Sequence, residues 1–166
     1  MSKRELKKYI AELNKEQLEA QILELYARFK PVKEYYDFAF KPNERKLLDD
    51  CKFKIHKEYF PPRGRRPKTR RSVAKKCIRH FRLLNVAPEF TAELMLYNLE
   101  TAQSYSARRK VYDSFYPAMF RFYEDLIKYC LEHGMQEAFA ERINAIAEEA
   151  WQQDWINKSA FEDLRQ

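Results

Sequence analysis

Glycine is nearly absent from this chain: Gly64 and Gly134 are the only two among 166 residues. A fold of many short strands needs tight turns with positive φ, which glycine supplies, so the punctuation of a β protein is missing. Apolar residues instead recur three and four positions apart, the spacing of one helix face. Ser2 with Glu5, and Asn14 with Gln17, have the spacing of a capping box, in which two residues satisfy each other's free backbone N–H groups. Leu6, Ile10 and Leu13 follow the first box, while Leu18, Ile22, Leu25 and Phe29 follow the second, up to Pro31. These segments predict two helices joined as an αα-hairpin.

Pro31 suits the first turn of a third helix, whose dense aromatics Tyr35, Tyr36, Phe38 and Phe40 are expected to pack inward. Asn43 precedes a fourth helix, running to about Tyr59, with Leu48, Cys51, Ile55 and Tyr59 on one face. A fifth is expected to bury Val73, Cys77, Phe81 and Leu84. The next, from about Pro88 to Ser106, is apolar on most sides through Phe90, Leu94, Met95, Leu96, Tyr97 and Leu99, which marks it as the central element. Met119, Tyr123, Leu126 and Cys130 form the stripe of a further helix that Gly134 is placed to end. The last long helix is predicted over 136–153, with a final turn over 158–164. No repeat of fixed period is visible. The expected architecture is all-α: one domain over 1–166, a compact multi-helix bundle or non-repetitive array of about seven to eight helices.

The segment 60–71 interrupts this pattern. Pro61, Pro62 and Pro67 forbid regular helix, and from Lys52 to Arg82 there are thirteen Lys or Arg against one Glu. The rest of the chain holds 19 basic and 24 acidic residues, so the formal net charge of +7 originates here. Arg63, Arg65, Arg66, Lys68, Arg70 and Arg71 make an exposed basic loop, and Lys75, Arg79 and Arg82 continue the charge along one side of the following helix. Closely spaced guanidinium groups suit bidentate contact with phosphate oxygens. The expected partner is the backbone of DNA or RNA, bound with low sequence specificity. The alternative is a protein-interaction module, contacting an acidic partner surface through the loop or an apolar helical groove. A third possibility is a solvated loop, or one neutralised by the chain's own acidic C-terminal helices.

Pro62-Arg63-Gly64-Arg65-Arg66-Pro67 is similar to the AT-hook, whose Arg-Gly-Arg-Pro core lies in an A·T-rich minor groove; the additional Arg66 departs from that core. At Ser2-Lys3-Arg4-Glu5-Leu6, Leu13-Asn14-Lys15-Glu16-Gln17-Leu18 and Gly64-Arg65-Arg66-Pro67-Lys68-Thr69-Arg70-Arg71-Ser72-Val73, the chain resembles a family of uncharacterised bacterial all-helical proteins. The resemblance implies a bacterial cytoplasmic setting and brings no activity, ligand or catalytic residue with it.

Other functions find less support. A helix-turn-helix would place the helix after Pro88 in a major groove, but it begins with Glu89 and Glu93 and has no basic residue before Arg108. Cys77 with His80, and Cys130 with His133, each set a thiol and an imidazole on one helix face, and two such pairs could complete a zinc site. Both cysteines fall on apolar stripes, where core packing is the simpler role. Asp49-Asp50 and Glu148-Glu149 diverge around their helices as surface charges. There is no Gly-rich phosphate loop, nucleophile turn or metal-binding helix motif, so no cofactor or catalytic residue is expected, and an enzyme whose pocket is assembled from distant helices is the weakest of the alternatives. The polar start, the lack of an apolar run of bilayer length and an odd number of cysteines, three, lead us to expect a cytoplasmic protein without membrane contact.

Overall fold

The computed structural model describes residues 2–165. Among them are nine helices and no strand. None of these helices is long and apolar enough to cross a membrane. The chain divides into two compact units, Met1–Asn43 and Glu44–Gln166.

The first unit holds α1 (Lys3–Ala11), α2 (Lys15–Arg28) and α3 (Lys30–Phe40). Both capping boxes form as the sequence predicts. Ser2 N–H donates to Glu5 Oε2 at 2.6 Å and Glu5 N–H to Ser2 Oγ at 3.3 Å. Asn14 N–H donates to Gln17 Oε1 at 3.0 Å, and Gln17 N–H returns to Asn14 Oδ1 at 2.8 Å. The main partner of α2 is α3 rather than α1. Tyr26 Oη donates to Asp37 across the α2–α3 pair at 2.6 Å, whereas α1 meets α2 through the 2.5 Å bond from Gln21 Nε2 to Tyr9 Oη.

No residue of these three helices is buried. Tyr36 stacks on Phe40 with ring centres 6.3 Å apart. The expected inward packing of the α3 aromatics is met only in part: Tyr36 and Phe38 are half-buried, whereas Tyr35 is 43 % exposed and Phe40 80 %. The reason is size. Three short helices of about 40 residues in all have too little surface to enclose one another.

The second unit contains α4 (Glu44–Tyr59), α5 (Arg71–Leu84), α6 (Pro88–Ser106), α7 (Phe115–Glu132), α8 (Gln136–Gln152) and α9 (Lys158–Asp163). As its all-round apolar pattern predicts, α6 is central, touching α4, α5, α7 and α8. Its Leu94, Met95, Leu96 and Leu99 are buried. So are Leu48, Cys51, Ile55 and Tyr59 of α4, and Met119, Tyr123, Leu126 and Cys130 of α7. On α5, Cys77, Phe81 and Leu84 are buried, while Val73 is only half covered.

Three helices end in the same way. Asn85, Gly134 and Asp154 have φ of 57°, 65° and 54°, the left-handed conformation that turns the chain out of a helix. In each case the following N–H, of Val86, Met135 or Trp155, reaches back to a carbonyl of the last turn, at 3.1, 2.9 and 3.0 Å. Val86 and Trp155 are then carried into the core.

Lys52 on α4, Glu93 and Glu100 on α6, and Arg142 on α8 form a chain of ion pairs. Lys52 Nζ lies 2.5 Å from Glu93 Oε1, and Arg142 binds both Glu93 Oε2 and, at 2.8 Å, Glu100 Oε1. Burial by itself pushes the Glu93 carboxyl up, but the hydrogen bonds from Arg142 and Lys52 outweigh it and hold the group below the ordinary carboxylate value. A carboxyl depressed by folding stabilises the protein above its unfolded pKa, and that contribution is lost as pH falls through the folded value. We expect the urea midpoint to fall as pH drops below about 4. Glu93→Gln should lower the midpoint at neutral pH and flatten this dependence. An unchanged pH profile in the variant would show that the pairs contribute nothing.

Candidate nucleic-acid interface

The basic loop is anchored by Glu58, the one acidic residue between Lys52 and Arg82 in the sequence. Pro61 and Pro62 cannot donate backbone hydrogen bonds, so α4 stops and the chain turns away. Arg65 N–H closes a turn onto the Pro62 carbonyl at 3.2 Å. Gly64, at φ 84°, takes the third position of that turn, where a side chain would be strained. The far end of the loop then returns to α4. The N–H groups of Lys68 and Thr69 both donate to the Glu58 backbone carbonyl at 3.0 Å. Arg70 grips the Glu58 carboxylate in a two-pronged contact, Nε at 2.9 Å and Nη2 at 2.7 Å.

That contact has an electrostatic consequence. Hydrogen bonding to Arg70 holds the Glu58 carboxyl below the usual range, and the same bond raises Arg70. The loop is therefore clasped above the ordinary carboxylate pKa and released as pH falls through the depressed value. Glu58→Ala should lower the protection factors of the Lys68, Thr69 and Arg70 amides at neutral pH, and the same protection, corrected for the intrinsic exchange rate, should fall in the parent protein as pH drops through the depressed Glu58 value. Unchanged exchange at these three amides would mean that the carboxylate does not hold the loop.

The nine basic residues singled out from the sequence fall into distinct groups. Arg63, Arg65, Arg66 and Lys68 are exposed, and among the described residues no carboxylate pairs with their side chains. Arg70 is neutralised by Glu58. Arg71 is exposed but oriented, donating from Nη1 to the Ser114 carbonyl at 2.9 Å. Lys75 lies 5.7 Å from the Phe122 ring centre and Arg82 lies 5.2 Å from that of Tyr129, so both rest on aromatic rings of α7 with their charge still in solvent. Arg79 is exposed.

A second basic run joins the loop in space. Arg108, Arg109 and Lys110 follow α6 and are all exposed. The Arg108 guanidinium sits over the Phe60 ring at 6.0 Å, and Arg71 holds Ser114 at the other end of the same connection. Phe60 also meets His56 at 5.1 Å and Tyr105 at 5.9 Å, which makes an aromatic ledge beneath the two basic segments. The arrangement offers what phosphate binding requires: several fixed, solvent-facing cations on neighbouring loops.

Residues 1–166 match a family described as a family of unknown function (DUF6155). The chain belongs to that family. No curated protein and no solved structure matches it. DUF6155 membership accords with the resemblance to a family without assigned function, and it adds no activity.

Two features of this DUF6155 chain escape a linear reading. The run Arg108-Arg109-Lys110 is plain in the sequence, yet its place beside the loop depends on the direction in which α6 leaves the core. The Glu58 clasp is hidden for a similar reason, since a single Glu within a basic stretch gives no sign of which cation it will hold. The two Cys/His pairs do not converge. Among the described residues no group of three or more His, Cys, Asp and Glu side chains is placed to hold a metal ion. Cys77 meets Cys51 of α4 instead, the two buried thiols sharing a hydrogen bond that pushes Cys51 up and Cys77 down.

Proposed function

We propose that this protein binds the sugar-phosphate backbone of nucleic acid through the loop 60–71, the basic side of α5 and the Arg108-Arg109-Lys110 connection, with low sequence specificity. One observation carries the reading: the side chain of Glu58, the only acid between Lys52 and Arg82, forms its ion pair with Arg70, which leaves Arg63, Arg65, Arg66 and Lys68 as solvent-facing charges on a clasped loop. A loop folded back onto the chain's own carboxylates would have argued the reverse. Holding the loop in place lowers the entropy lost when its cations meet phosphates. Contacts of this kind fix a protein on the backbone without reading bases, hence the expected indifference to sequence. Fluorescence anisotropy with labelled oligonucleotides of unrelated sequence, at low salt, is the direct test. Comparable binding to each supports the reading, and absence of binding to all of them removes it.

A second reading, a protein-interaction module, draws on the first unit. Leu23, Phe29 and Phe40 are 67 %, 47 % and 80 % exposed there, and exposed apolar side chains gathered in one small unit suit protein contacts. Affinity capture from cells with and without nuclease separates the two. Partners that disappear with nuclease favour nucleic acid; partners that persist favour protein.

A further inference from the structure

Between α4 and α6 lies an open cleft of about 490 Å3, within the size range of pockets that hold small ligands. His56 and Phe60 line it from one side and Tyr97, Glu100 and Ser104 from the other, with Arg108 over the Phe60 ring. Phe60 and Tyr97 are half-buried and His56 is exposed, so ring surface remains available. The rings hold one another in place: Tyr97 Oη lies 3.5 Å from His56 Nδ1, and Lys52 Nζ sits 5.0 Å from the Tyr97 ring centre.

The chemistry of this cleft differs from that of the loop. The cleft's lining sets aromatic rings beside one carboxylate, Glu100, which Arg142 pairs from the α8 side, and one cation, Arg108. A flat, uncharged ring with polar edges suits it: aromatic faces to stack on, with a carboxylate and a hydroxyl at the margin. The cleft also continues directly into the basic surface, because Phe60 immediately precedes Pro61-Pro62-Arg63 and Arg108 covers its ring. A strand whose phosphates lie along the loop would have its bases within reach of these rings. Only a single strand can present them, since a duplex hides its base faces in the stack.

We infer that the His56–Phe60–Tyr97 cleft takes an unpaired nucleobase, and that the preferred ligand is single-stranded nucleic acid. The inference rests on the backbone-binding reading and adds the substrate class to it. Stacking of bases on aromatic side chains is tolerant of base identity, in keeping with low sequence specificity.

The test compares a labelled oligothymidylate with an abasic deoxyribose-phosphate chain of equal length and charge, both against the full chain at low salt. Oligothymidylate should bind about tenfold more tightly, the effect of one well-stacked base. Phe60→Leu, and independently Tyr97→Leu, should each lower oligothymidylate affinity toward that of the abasic chain. If one variant fails to fold, as judged by circular dichroism, the other and the wild-type comparison still decide. Equal affinity of the wild type for both chains overturns the inference while leaving backbone binding intact. Binding to neither overturns the backbone reading and this inference with it. Competition by polyglutamate as effective as that by oligothymidylate also overturns it, in favour of an acidic protein ligand.

Discussion

Replacing Arg63, Arg65 and Arg66 together by glutamine is expected to weaken oligonucleotide binding on the order of 100-fold at low salt while leaving the folded structure unchanged. Hydrogen bonds involving ionised groups contribute about 1.5–3 kcal/mol in protected settings; fully exposed guanidinium groups fall lower, at about 1 kcal/mol each. Three such contacts amount to about 3 kcal/mol, or roughly two orders of magnitude in Kd. The fold should be indifferent because none of the three side chains is buried or paired with a carboxylate among the described residues. Arg70→Gln is the informative contrast, since it removes a cation that Glu58 already neutralises. Its direct cost in binding should be small, and its main effect should be a looser loop. Equal losses from Arg70 and from the exposed arginines would mean that the clasp is not maintained in solution.

Phe161→Ala should be among the most destabilising single substitutions in the second unit. Phe161 lies on α9, a helix of six residues that its own hydrogen bonds are too few to sustain. What fixes it is the ring, which is fully buried and lies 4.9 Å from Tyr123, 5.2 Å from Phe120 and 5.5 Å from Trp155. Truncation removes one member of an aromatic cluster and leaves a cavity that Trp155 and Tyr123 cannot both move to fill. A loss of about 3–5 kcal/mol is expected, seen as a lowered urea midpoint and a fall in Tm of roughly 10 °C or more. A cost below about 1 kcal/mol would show that α9 packs without this anchor.

The contrast between Phe161 and Phe40 shows what periodicity conveys and what it omits. Spacing identified the inward faces of α4, α5, α6 and α7 because each helix is long enough for its stripe to stand out and finds neighbours on that side. The segment after Lys158 has too few residues for a period to register, so its role as a core plug emerges only from its ring contacts. On α3 the same physical expectation misled: Tyr35 and Phe40 are as apolar as the sequence implies, but burial needs a covering layer that α1 and α2 do not supply. Apolar character is local, whereas enclosure depends on neighbours.

The candidate interface divides along the same line. Its charge was legible, since prolines and a concentration of arginine mark the loop without reference to any other part of the chain. Its geometry was not. Glu58 is sequence-adjacent to the loop but could have paired with any of several cations; the return of Lys68 and Thr69 to its backbone carbonyl is what selects Arg70. Arg108 reaches Phe60 from just beyond α6, a helix that begins 28 residues after Phe60, and only the packing of α6 against α4 brings them together.

The most direct measurement is the dependence of oligonucleotide affinity on salt concentration for the intact protein. Each phosphate contact releases counterions and contributes about −0.7 to −0.9 to the slope of log K against log salt, so engagement of Arg63, Arg65 and Arg66 predicts a straight line with a slope of about −2 or steeper. A slope near zero, or no binding at the lowest salt tested, would contradict it.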